Sequence, residues 1–101
     1  MRKLEREMVS AMQRGECWRG DNTSLISDGD GYYMVLLHRH CIAKGRKGQR
    51  PDRINLCGYN TATTRSRLTA LGVPVCCRNG KAMLNGKEIP IHEWIEVKDY
   101  E

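Results

Sequence analysis

A chain of 101 residues has room for one modest core, and 40% hydrophobic beside 29% charged residues excludes a disordered or fibrous protein. The longest apolar run, Tyr32 to Leu37, is far short of the roughly 20 residues that cross a bilayer, so no membrane span or membrane partner is expected. The formal charge of +5 is concentrated: residues 44–67 hold seven cations against Asp52 alone, a local net of +6, whereas the last nine residues hold four acids against Lys98, a local net of −3.

In "MRKLEREMVSAMQRG", Leu4, Met8, Ala11 and Met12 recur at helical spacing and Gly15 stands at a helix stop, which predicts an amphipathic first helix. The segment has no apolar stretch before a small-residue cleavage site, so a cytoplasmic location is expected. "NTSLIS" and "YYMVLLH" are β-rich runs separated by "DGDG", a hairpin signal, and "RH" turns tightly into "CIAK". "KGRKGQRPDR", residues 44–53, then places Lys44, Arg46, Lys47, Arg50 and Arg53 among two glycines and a proline; the cations are read as lying mainly on a protruding loop between two strands. "NTATTRSRLTALG" returns to helical spacing through Leu68 and Leu71, with Asn and Thr residues as caps before and Gly72 after, which predicts a short helix from about Ala62 to Leu71. "VPVCCRNGKAMLNGKEIPI" contains Asn-Gly twice, the signature of a three-stranded meander. "EWIEV" is one more strand or a docked tail, and residues 98–101 are expected to fray. The whole is one α+β domain over residues 1–97: a small antiparallel sheet with an N-terminal helix, a short second helix and a C-terminal β-meander, its core including Leu36, Leu68 and Leu71.

The chemistry these residues offer is mainly electrostatic. Lys44, Arg46, Lys47, Arg50 and Arg53 on the loop, with Thr63, Thr64, Arg65 and Arg67 around the start of the second helix, are candidate partner- or phosphate-binding residues: a two-part clamp for a nucleic-acid backbone, or a dock for an acidic protein surface. Runs of charge are also ordinary solvated faces. His38, His40, Cys41, Cys57, Cys76, Cys77 and His92 are zinc-ligand types, but no close C-x-x-C pair exists, so neither metal, other cofactor nor disulfide is expected. Pro51 and Asp52, followed much later by Glu96, Val97 and Lys98, imitate the proline-acid and acid-x-lysine signature of metal-dependent nucleases; across so long a separation the pattern reads as coincidence. No nucleophile triad, P-loop or dinucleotide fingerprint is present, and a non-enzymatic binding protein is expected.

Several words of the sequence belong together. "MRKLEREM", Trp18 ahead of "DNTS", "VLLH" with "IA" after a turn, "TATTRSRLTALGV" and "LNG" resemble, in order from Met1 to about Gly86, a group of small accessory proteins of tailed bacteriophages. The sharpest piece is Thr63-Thr64-Arg65-Ser66-Arg67-Leu68; Arg39-His40 stands where the group often carries Gly-Asn, and the basic loop is longer than usual there. The resemblance implies a phage accessory protein, and such products commonly disable host machines that handle nucleic acid. The expected partner is therefore a host protein or ribonucleoprotein complex, such as a CRISPR or restriction nuclease, engaged through the basic loop and second helix. Direct nucleic-acid binding is the alternative and a metal-dependent nuclease the third reading.

Overall fold

The computed structural model describes residues 2–101. Its first helix, α1 (Lys3–Arg14), turns Met8, Ala11 and Met12 inward. It ends where Gly15 takes the left-handed conformation at φ 70°, letting the N–H of Glu16 reach back to the Ala11 carbonyl at 3.0 Å. Six antiparallel strands follow in spatial order β1 (Trp18–Gly20), β2 (Thr23–Ser27), β3 (Tyr32–Leu37), β4 (His40–Arg46), β5 (Pro51–Ile54) and β9 (Ile95–Glu96). Between β5 and β9 the chain forms α2 (Ala62–Ala70) and a three-stranded meander of β6 (Val75–Arg78), β7 (Lys81–Leu84) and β8 (Lys87–Glu88), turning at Asn79-Gly80 and Asn85-Gly86 as expected. The α+β class is as the sequence indicates.

Cross-strand partners share a face of an antiparallel sheet, so the register assigns sides. The row Leu25, Val35, Ala43 and Ile54 is buried, and the next row, Ile26, Met34, Lys44, Arg53 and Glu96, faces the other way. Both helices lie on the buried side, where Leu56, Leu68, Leu71, Val73, Val75, Leu84 and Val97 complete one core shared with the small sheet. Leu36, expected in the core, is instead half-buried on the outer side, because the period of two gives the inner positions to Val35 and Leu37.

Two further expectations are corrected. The basic segment is a hairpin more than a loop: Lys44 and Arg46 belong to β4 and Arg53 to β5, which leaves Lys47 and Arg50 in the connection. Gly45 permits this, since a Cβ there would lie 2.7 Å from the Tyr33 hydroxyl, which donates to the Gln49 carbonyl at 2.7 Å across the hairpin. The tail is also held. Val97–Tyr100 form a 3-10 turn with Val97 buried, Asn85 Nδ2 donates to the Tyr100 carbonyl at 2.6 Å, and Arg50 pairs with Glu101.

A buried ion pair ties the helices to the sheet. Arg67 on α2 donates through Nη1 to Glu5 Oε2 on α1 at 2.8 Å and through Nε to Thr23 Oγ1 on β2 at 3.0 Å, and Ser66 Oγ donates to the same Glu5 oxygen at 2.5 Å. Burial alone would push the Glu5 carboxyl up, but the hydrogen bonds of Ser66 and Arg67 and the charge of Arg67 outweigh it and hold the group below its ordinary value. A carboxyl lowered on folding adds stability above its unfolded value of about 4.3, and that contribution is lost as pH falls through the folded value. The expected result for Glu5→Gln is a lower melting temperature near neutrality, with the gap to the parent narrowing as pH drops below about 4; a constant gap would remove the ion pair as its cause. Leu68→Ala, at a fully buried position, is expected to cost about 2 to 5 kcal/mol in chemical denaturation.

Candidate functional site

The outer side of the six-stranded sheet is where the cations meet exposed apolar groups. Four of the five exposed large hydrophobics among the described residues, Ile26, Tyr32, Met34 and Trp94, lie there, with Tyr32 at 49% and Ile26 at 45% exposure. Lys44 Nζ sits 4.7 Å from the centre of the Trp94 ring, and the Arg46 guanidinium carbon 5.5 Å from that of Tyr32. Each contact contributes about 0.5 to 1 kcal/mol at an exposed site and, more usefully, orders a long cationic side chain along the sheet. A groove of about 280 Å³ runs between Ile26, Tyr32 and Met34 on one flank and Lys44, Asp52 and Arg53 on the other. Asp28 and Asp52 line it too, so its charge is mixed rather than uniformly basic.

The two halves of the expected clamp do not meet. Arg50 packs against Gly72, just past the carboxyl end of α2, whereas Thr61, Thr63 and Thr64 at its amino end lie beside His38 and His40, at the far end of β4 from Arg46. Seven residues of strand, roughly 20 Å, separate the two clusters. Arg67 and Thr64 are also corrected as surface contacts. Arg67 is 3% exposed with its guanidinium committed to Glu5 and Thr23, and buried Thr64 gives its N–H to the Thr61 cap at 3.2 Å. Arg65 folds back through Nη1 onto the Asn60 carbonyl at 2.9 Å and its side-chain oxygen at 2.7 Å. Thr63 is half-buried on the wall of a separate cavity of about 370 Å³, floored by Leu37, Ile42 and Leu56. Sequence reasoning missed the outward row of Ile26, Met34 and Trp94; the alternation in "YYMVLL" was the available signal for Met34.

The metal-ligand types stay apart: among the described residues no three His, Cys, Asp or Glu side chains converge, and all five cysteines are free thiols. Cys57 Sγ donates to the Cys41 carbonyl at 3.2 Å, and burial pushes both of these thiols up. Cys76 and Cys77 are both exposed on β6 at the edge of the small sheet. The fold does close the long gap between Pro51-Asp52 and Glu96-Val97-Lys98. Pairing of β5 with β9 brings all five to one recess of about 140 Å³. Arg50, paired with Glu101, lines it as well, so Asp52 and Glu96 share the recess with Arg50 and Lys98.

By form, then, this is a small α+β protein that keeps one face of an antiparallel sheet uncovered, and no helix among the described residues is long and apolar enough to cross a membrane. The chain matches the model of the Kyanoviridae Gp96 protein family over residues 1–100 and belongs to that family of tailed-phage proteins, in keeping with the words that pointed to phage origin. No curated protein and no solved structure matches it. With free thiols and no convergent ligand set, the melting curve is expected to be unchanged by EDTA and by a thiol reductant; a large drop on chelation would reopen the case of His38, His40 and Cys41.

Proposed function

We propose that this phage protein is a non-enzymatic accessory factor that acts in the host cytoplasm by docking the outer face of its sheet on a host nucleic-acid-handling complex, such as a CRISPR or restriction nuclease, and so inhibiting it. The observation that carries this reading is the juxtaposition of Ile26, Tyr32, Met34 and Trp94 with Lys44, Arg46 and Arg53 on one uncovered face. Aromatic residues, Met and Arg are the types enriched in protein interfaces. Asp28, Asp52 and Glu96, interleaved with the cations, suit a partner of mixed charge better than a continuous phosphate backbone, which those acids would repel. Phage origin supports a target in the infected cell.

Direct binding of single-stranded nucleic acid is the second reading, favoured by Trp94 and Tyr32 as stacking surfaces beside cations. The two readings separate in one comparison. Lys44, Arg46, Lys47 and Arg53 changed together to Ala should stay folded, with the two lost cation–ring contacts costing about 1 to 2 kcal/mol in total, and should lose the host complex that co-purifies with the tagged parent from infected cells. Tyr32→Ala with Met34→Asp should do the same. Parent and variants are then titrated with single-stranded DNA at several salt concentrations. Affinity falling by about one log-log unit per phosphate would install the nucleic-acid reading, and unimpaired co-purification of both variants would remove the sheet face from function.

A further inference from the structure

We infer that residues 95–101 form an internal counter-ion strap, an autoinhibitory contact that keeps the basic hairpin of β4 and β5 from binding the phosphate backbone of single-stranded nucleic acid. Five cations lie between residues 44 and 53, and the fold gives each of them an internal neighbour. Lys44 and Arg46 lean over the rings of Trp94 and Tyr32. The stem of Lys47 lies over Gly15, where an added Cβ would come within 2.8 Å of its Cδ. That stem thereby passes the carboxyl end of α1, the negative end of the helix dipole. Arg50 and Arg53 are met instead by carboxylates from far along the sequence.

Three contacts hold the strap. Pairing of β5 with β9 sets Glu96 directly across from Arg53 on the outer side, where such partners have Cβ atoms roughly 5 Å apart. Val97, next in the chain, is buried and anchors the segment in the core. Beyond it, Asn85 Nδ2 donates to the Tyr100 carbonyl at 2.6 Å, and Glu101 pairs with Arg50. A phosphate arriving at Arg50 or Arg53 therefore has to displace a carboxylate, and Asp52, beside Glu96 in the same recess, repels it as well. Exposed ion pairs of this kind add little to stability, so the effect of the strap falls on what the hairpin binds.

The test is fluorescence anisotropy of a labelled oligothymidylate titrated with the full chain at several salt concentrations. Glu96→Gln with Glu101→Gln removes both carboxylates. This pair should raise affinity at least about tenfold over the parent at roughly 50 mM salt and steepen the log-log salt slope by about 1.4, which is about 0.7 for each of two further phosphates. Glu16→Gln with Glu88→Gln is the control: it removes two exposed acids, paired with Arg14 and Lys81, for the same change in net charge. A distant change of charge should raise affinity by less than about threefold. Asn85→Gly keeps the net charge and suits the left-handed turn, where φ is 52°, but removes the donor to Tyr100. Freed from its latch, Glu101 should leave Arg50, and the slope should steepen by about 0.7. Tail variants that bind no better than the parent, or a control that gains as much as the tail pair, overturn the strap. Should the double tail variant fail to fold, Asn85→Gly decides by the same slope. DNA is the only partner in this titration, so its outcome is independent of the docking reading.

Discussion

The Glu5–Arg67 pair is the constraint on which the rest of this small protein depends. One guanidinium joins α1, α2 and β2, and Ser66 adds a second polar link from α2 to Glu5 of α1. Apolar contacts are tolerant of sliding; a charge removed from water is not, because any displacement that lengthens its hydrogen bonds exposes the full desolvation penalty. The pair therefore fixes the position of α2 along the sheet. It thereby decides that the amino end of this helix abuts the β3–β4 turn while its carboxyl end meets Arg50.

Placing both helices and the meander on one side of the six-stranded sheet has a cost and a use. The inner row is fully covered, but Ile26, Met34 and Tyr32 are left facing solvent, where cations leaning over the aromatic rings partly shield the apolar surface. Such a face is still apolar enough to gain from being covered, which is what the proposed docking would exploit.

What the sequence made legible was local. Helix periods, Gly15 and Gly72 as stops, Thr61 as a cap and the two Asn-Gly turns act within a few residues, and the structure follows them. The misread features are non-local. The glycines of residues 44–53 look like loop punctuation, yet Gly45 is a strand residue whose missing side chain makes room for Tyr33 from the adjacent strand. Arg67 reads as a surface cation until Glu5, 62 residues away, neutralises it. The approach of Asp52 to Glu96 depends on β9 returning to pair with β5 after an intervening helix and meander. Among the candidate residues, Lys44, Arg46 and Arg53 were found by charge, but the apolar company that gives them a shared face required the register.

The outer strands of the large sheet are very short, three residues in β1 and two in β9. Long exposed edges recruit other chains through backbone hydrogen bonds, which are blind to sequence and lead to polymers. Here so little backbone is on offer that the proposed docking would fall to side chains on the sheet face. Those outward positions alternate with the buried ones, so they can be exchanged without disturbing the core. If the face docks on a host partner as proposed, a phage lineage facing a changing host can let these outward residues drift from one target to another while the scaffold beneath stays constant.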